Sequence, residues 1–244
     1  MSDDFESAVE AYFEAAVKAF WTGRDLQAQR QIDSGKLDAG LRGAVTGGQH
    51  LSALQEAVAR LFDESHLPGI EIRHQGKITL PGYYRRSKDW DLVVTYKDVL
   101  VAAVEFKSQV GPSFGNNFNN RSEEAIGNAA DVWRGYEEGL FGEVRPWLGF
   151  IMVIESTTKS TTPLTRDAQT IYPADKVFDR TSYVDRYRIL LQRLVRERQY
   201  DAAAVLASPK GGGILDAHAV PELSMTHFRA AIAGRLAYIR ALGL

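Results

Sequence analysis

The sequence has no cysteine. Disulfides, thiolate zinc sites and cysteine nucleophiles are therefore excluded, and the chain is suited to a reducing compartment. It also has no apolar run approaching the length of a membrane span. Its first residues, Met-Ser-Asp-Asp, are acidic where an export signal would be basic, so the expectation is a cytoplasmic protein with no membrane segment. An excess of positive charge is missing too. The net charge is −2, so a partner rich in phosphate must be met by local basic patches rather than by the chain as a whole. The five histidines show no metal-ligand spacing, and neither a phosphate loop nor a Gly-x-Ser-x-Gly elbow occurs. What remains is ordinary for a globular protein: 244 residues, 45% hydrophobic and 25% charged, enough to enclose a sizeable core.

Hydrophobic spacing divides the chain into elements. Phe5, Val9, Phe13, Ala16, Val17 and Phe20 recur at helical spacing and predict a helix over 3–21, with Ser2 as its N-cap. Residues 35–50 carry five glycines, the composition of a loop whose backbone approaches something closely. Leu51, Leu54, Val58, Leu61 and Phe62 predict a second helix over 51–63. Strands are expected at 69–72, 78–80, 91–96 and 99–106, the last two joined by a two-residue turn at Lys97-Asp98. A Gly/Pro/Asn loop at 111–120 precedes a helix over 121–140 and a strand over 148–154. Residues 155–180 read as irregular, followed by a basic helix over 182–199, a strand over 202–207 and a helix over 224–241. No repeat or low-complexity tail interrupts them. An antiparallel hairpin, further buried strands and flanking helices make the expected class α/β, with a mixed central β-sheet.

Structure and chemistry conflict in the strand Val101-Ala-Ala-Val-Glu-Phe-Lys107. Its apolar run marks a buried strand, yet Glu105 and Lys107, two apart, must share a face. Burying an acid and a base is costly unless they are paired or hold a metal. Asp91 opens the other strand of the same hairpin, with thirteen residues between it and Glu105, so two carboxylates and a lysine converge. Phosphodiester hydrolysis needs such a set. The carboxylates of Asp91 and Glu105, with the Phe106 backbone carbonyl, are candidate ligands of a hard divalent cation, and Lys107 can orient water and stabilise the transition state. A surface hairpin with a polar face is the plainer reading of the spacing, but the apolar residues on both sides of Glu105 argue against it.

Nucleic-acid contacts have three candidate sources. The loop Gly111-Pro-Ser-Phe-Gly-Asn-Asn-Phe-Asn-Asn-Arg121 follows Ser108 and puts Asn116, Asn117, Asn119, Asn120 and Arg121 beside the proposed centre. Asn and Arg can read adenine and guanine, although Asn and Gly also simply make turns. The cluster Arg85, Arg86 and Lys88 precedes Asp91 and suits phosphate neutralisation. The glycine-rich stretch holds Arg42, Thr46 and Gln49. The six arginines between Arg180 and Arg198 read better as a solvated helix face.

Three segments together carry a resemblance: Ala44-Val-Thr-Gly-Gly48, Leu80-Pro-Gly-Tyr-Tyr-Arg-Arg-Ser-Lys-Asp-Trp-Asp-Leu92 and the block from Val101 to Arg121. They resemble the XhoI-type restriction endonuclease family, and the likeness extends from Phe20-Trp21 to Leu194-Val-Arg-Glu-Arg198. The resemblance implies the PD-(D/E)xK restriction-endonuclease-like fold, with Asp91, Glu105 and Lys107 as its triad. It also implies dependence on magnesium, with manganese as a substitute, a homodimer, double-stranded DNA as partner and CTCGAG as target. Trp90 stands where the motif has proline. Because nucleases of this fold often add an acid from an early helix or strand, Glu56 and Glu71 are candidates for that role. A single domain is expected: a helical part over 1–68, a catalytic core over 69–155 and a C-terminal helical part over 156–244. The competing readings are a repair or recombination nuclease of the same fold, an inactive DNA-binding module on it, and a phosphoesterase for small substrates.

Overall fold

A computed structural model describes residues 3–33, 49–64, 66–111, 113–164, 171–214 and 220–243. Among these residues there are seven strands: β1 (Ile70–Arg73), β2 (Ile78–Pro81), β3 (Ser87–Trp90), β4 (Leu92–Tyr96), β5 (Val99–Gln109), β6 (Trp147–Glu155) and β7 (Ala202–Ser208). The helices are α1 (Asp3–Asp33), α2 (Ser52–Asp63), α3 (Phe114–Glu137), the single turn α4 (Thr158–Thr161), α5 (Tyr183–Arg196) and α6 (Met225–Ala241). Five strands form one mixed sheet in the order β1-β4-β5-β6-β7, antiparallel up to β5 and parallel beyond it. β2 and β3 form a separate antiparallel hairpin. No helix among the described residues is long and apolar enough to cross a membrane.

The sheet has a helical layer on each face. On one face α1, α2 and α6 bury Val17, Phe20, Leu54, Phe62, Phe228 and Ile239 against Val104, Phe106, Ile151 and Ala204. On the other, α3 and α5 bury Ala129, Val132, Tyr187 and Leu191 against Ala103, Phe150, Met152 and Ala203. β6 and β7 are covered on both sides, so they are apolar up to their last residues, Glu155 and Ser208, instead of alternating. Gly149 is required where the layers press closest, since a Cβ there would lie 2.8 Å from the Phe228 ring.

Most elements match their sequence pattern. The apolar face expected of α2 is buried, and so are Phe13, Ala16, Val17 and Phe20 of α1. The Phe5 and Val9 side chains fall outside the described residues. Ser182 and Asp185 form a capping box that starts α5. Three expectations change. α1 continues past its expected end at residue 21 to Asp33. β3 was not expected; pairing with β2 makes it a strand in spite of its polar sequence. The segment expected as a loop over 111–120 becomes helix from Phe114. Phe114 and Phe118 are one helical turn apart and dock on α5, Phe114 stacked on Tyr183 at 5.6 Å and Phe118 edge-on to Tyr187 at 5.1 Å. That packing outweighs the poor helix propensity of asparagine and glycine. Within 155–180 there are also two short turns, α4 and a 3₁₀ turn at Lys176–Phe178.

A bulge sets the facing of β5. Val94 pairs with Ala102 but Thr95 pairs with Leu100, so Val101 is an extra residue. Arg235 of α6 donates to the Val101 carbonyl at 2.9 Å and to the Arg145 carbonyl at 2.9 Å. Beyond the bulge, Val104 and Phe106 turn towards α1, α2 and α6. Ala103, and with it Glu105 and Lys107, turns towards α3 and α5.

Candidate active site

Leu92 pairs with Val104, so Asp91, one step further along, is level with Glu105. Asp91 and Val93 alternate onto the face that bears Ala103 and Glu105. The Phe106 N–H donates to Asp91 Oδ2 at 2.8 Å, which fixes that carboxylate against β5. Glu105 is buried, 3% exposed. Lys107 Nζ donates to its Oε1, and Lys88 Nζ donates to its Oε2 at 2.6 Å. The structure thus brings Asp91, Glu105 and Lys107 together and adds Lys88.

The electrostatics follow from crowding away from water. Burial, and then the charge of Glu105, hold the Asp91 carboxyl above its ordinary value against the pull of Lys107 and Lys88. Burial would lower Lys107, but Glu105 and Asp91 outweigh it and raise its pKa. Among the described residues no group of three or more His, Asp or Glu is gathered as a metal cage. The donor set at this point is two adjacent carboxylates. Such a set fits a hard cation that keeps several of its own waters, and does not fit a metal that demands a full protein cage.

The hairpin that carries Lys88 is tied to α3 through one carboxylate. Asp131 Oδ1 accepts from Tyr83 N and Tyr84 N at 2.8 Å each, and Oδ2 accepts from Arg85 Nε at 2.8 Å. Arg85 also donates to Asn128 Oδ1 at 2.9 Å. Although burial opposes it, these donors hold the Asp131 carboxyl below its ordinary value. Gly82 is required beside them, because a Cβ would lie 2.7 Å from Asp131 Oδ2.

The other sequence candidates spread around this centre. Arg85 is committed to α3, Lys88 points inward and Arg86 is exposed. Asn116, Asn119 and Asn120 are exposed on the first turns of α3, and Asn117 is half-buried. Arg121 donates to Glu124 at 2.5 Å. Ser108 Oγ meets His50 Nε2 at 3.2 Å on the opposite side of β5. Gln49 starts a 3₁₀ turn, and Arg42 and Thr46 lie outside the described residues. Glu56 contacts Arg60 and His74, and Glu71 contacts Arg73; neither makes a described contact with the central residues. The sequence reading missed Gln109. It is 1% exposed on the Lys107 face, its Oε1 accepts from Tyr187 at 2.9 Å, and its Nε2 has no described partner. Its place two residues after Lys107 on one strand face was the available signal.

Residues 30–219 match the family model described as restriction endonuclease XhoI. The chain belongs to this restriction endonuclease family. It is 42% identical over 189 residues to the type II restriction enzyme BstVI of Geobacillus stearothermophilus, covering 74% of this chain and 83% of that one. It is 39% identical over 182 residues to the type II restriction enzyme XhoI of Xanthomonas vasicola, covering 73% and 72%. With the type II restriction enzyme AbrI of Azospirillum brasilense it shares 47% over 148 residues, covering 59% and 66%. No solved structure matches the chain. As a family member the protein is a site-specific deoxyribonuclease that binds DNA, and enzymes of this type generally use divalent metal ions. The five-stranded mixed sheet with helices on both faces agrees with a restriction-endonuclease-like fold.

Proposed function

We propose that the protein is a magnesium-dependent type II restriction endonuclease that cuts both strands of the palindrome CTCGAG as a homodimer. The single observation that carries the catalytic assignment is the convergence of Asp91, Glu105 and Lys107 on one face of the β4–β5 hairpin. Asp91 and Glu105, with the Phe106 carbonyl, would hold Mg2+, with Mn2+ as a substitute. When bound, the cation supplies positive charge against the phosphate and makes water acidic enough to attack near neutral pH. Lys107 orients the attacking water and donates to the phosphoryl oxygens as negative charge builds on them. The water oxygen would form a bond to phosphorus as the bond to the leaving oxygen breaks, with the water's proton passing to solvent and the leaving oxygen taking one from solvent.

Glu105→Ala and Lys107→Ala should each lower single-turnover cleavage by at least about 10²-fold, while melting remains cooperative. Near-normal turnover by either variant would sink the assignment. Magnesium or manganese should support cutting, whereas calcium, larger and a poorer activator of water, should support binding alone. Sequencing the fragment ends of a digested plasmid tests the target. Cuts at any other sequence would refute CTCGAG and leave the catalytic assignment standing.

For recognition, the exposed asparagines of α3 suit base contacts, and Arg86 suits phosphate. The candidates Arg42, Thr46, Gln49, Asn117 and Arg121 complete the proposed DNA-contacting set. Two sequence candidates leave it: Ser108 meets His50 on the opposite side of β5, and Arg85 fixes the hairpin onto α3.

A further inference from the structure

We infer that Lys88 is a second catalytic lysine, which donates to the scissile phosphate from the side of Glu105 opposite Lys107. The inference rests on the proposed catalytic role of Asp91, Glu105 and Lys107. It begins with β3, whose alternation places Lys88 and Trp90 on one face. Trp90 is buried at 3% exposure, and Lys88 Nζ lies 4.3 Å from its ring centroid. The Lys88 ammonium also donates to the Asp89 carbonyl at 2.8 Å and to Glu105 Oε2 at 2.6 Å. The lysine side chain is only 12% exposed. A lysine is held in this way at a cost in side-chain entropy and hydration, which a solvated surface cluster does not incur.

Charge balance shows why a second lysine belongs here. Counted as formal charges before any cation binds, Asp91 and Glu105 are offset by Lys88 and Lys107. With a divalent cation bound the site carries a net double positive charge. That matches the double negative charge of the phosphorus centre midway through attack by hydroxide on a phosphodiester. With Lys107 alone, one of those charges would be unopposed. Two acceptors already engage Lys88, and an ammonium has three protons. The third proton has no described oxygen acceptor, on a nitrogen that also lies over the Trp90 ring, and is the one that would go to a phosphate oxygen. Asp131 keeps the lysine in place at a distance, because it fixes the connection between β2 and β3 onto α3.

The test compares Lys88→Met, Lys88→Gln and Lys88→Arg with Glu105→Ala, using a short duplex that carries the site cut by the wild-type protein. Three quantities are measured: the single-turnover cleavage rate in magnesium, the salt dependence of duplex affinity in calcium, and the melting temperature. Met keeps an unbranched stem against Trp90, and Gln is the second neutral variant should Met disturb the fold. The neutral variants should lose roughly 10²–10³-fold in rate. Their slope of log affinity against log salt should be shallower by about 0.9, the amount expected for one phosphate contact. Lys88→Arg should retain the wild-type slope. Cleavage within about threefold of wild type with an unchanged slope overturns the inference. So does a lost rate with an unchanged slope, since Lys88 would then act only by supporting Glu105. If Glu105→Ala is inactive in that case, the Lys88 inference alone has failed; if Glu105→Ala cuts normally, the reading of the whole site has failed.

Discussion

His50 meets Ser108 at the end of β5, with the Phe20 ring 5.3 Å away and with no described partner for Nδ1. Burial, followed by the charge of Arg24, pushes its imidazole down to about 4. The sign of the resulting pH dependence follows from proton counting. Between pH 6.5, where an unfolded histidine titrates, and about 4, the unfolded chain binds a proton that the folded chain excludes. The stability contributed by neutral His50 is therefore complete above pH 6.5 and is lost as pH falls through that window. The melting temperature should drop over this interval, and His50→Asn, which cannot titrate there, should flatten the drop. An equally steep decline in the variant would remove His50 as its cause. The prediction is independent of the catalytic face, because Ser108 and Lys107 point to opposite sides of β5.

Helix α3 has two unlike sides. Phe114, Ala125, Ala129 and Val132 face the sheet and α5, while Asn116, Asn119 and Asn120 face outward. Side chains on a helix are fixed in direction far more tightly than on a loop, so the outward asparagines present their amides at a set spacing. Alanine at Asn116, Asn119 or Asn120 should therefore leave the fold intact. At least one of the three should cost about 1–3 kcal/mol at a single base pair and relax specificity there. Arg86→Ala should instead weaken binding to all sequences and reduce the salt dependence. Affinities for the cognate duplex and its single-base variants at two salt concentrations separate the two behaviours. Uniform weakening by all three asparagine variants would place base reading elsewhere. By contrast, Phe114→Ala should unfold this end of the helix at a cost of roughly 3–5 kcal/mol.

At the scale of the molecule, the proposed function gives each subunit one catalytic face for one strand. A palindrome presents two identical half-sites, and a twofold-symmetric pair of subunits matches it with a single recognition surface repeated. The expected assembly is a homodimer with one active site for each DNA strand. Sedimentation should give a dimer on the cognate duplex, and a single copy both free and on DNA would overturn this. The net charge of −2 fits an enzyme whose DNA affinity is concentrated in one face, not spread over its surface.

The sequence alone determined the class of fold and which charged residues share the β4–β5 hairpin. Apolar runs at β5, β6 and β7 marked buried strands, because burial on both faces removes alternation. Glu105 and Lys107 stood out because charge inside such a run needs a reason. Helix α2 was legible in its spacing, and α5 as a basic helix, whereas the capping box that starts α5 was found only in the structure. Other features depended on contacts distant in sequence. The polar strand β3 forms because β2 pairs with it, and the asparagine segment is helical because α5 receives Phe114 and Phe118. Lys88 and Arg85 look alike in a basic cluster, yet one turns to Glu105 and the other to Asp131, forty-six residues away. The direction in which Glu105 points was also a tertiary decision. Strict alternation along β5 would put Glu105 opposite Leu100, and the extra residue Val101, its carbonyl held by Arg235 from α6, restores both to one face. A period of two is local, but the phase of that period is set by which layer packs where.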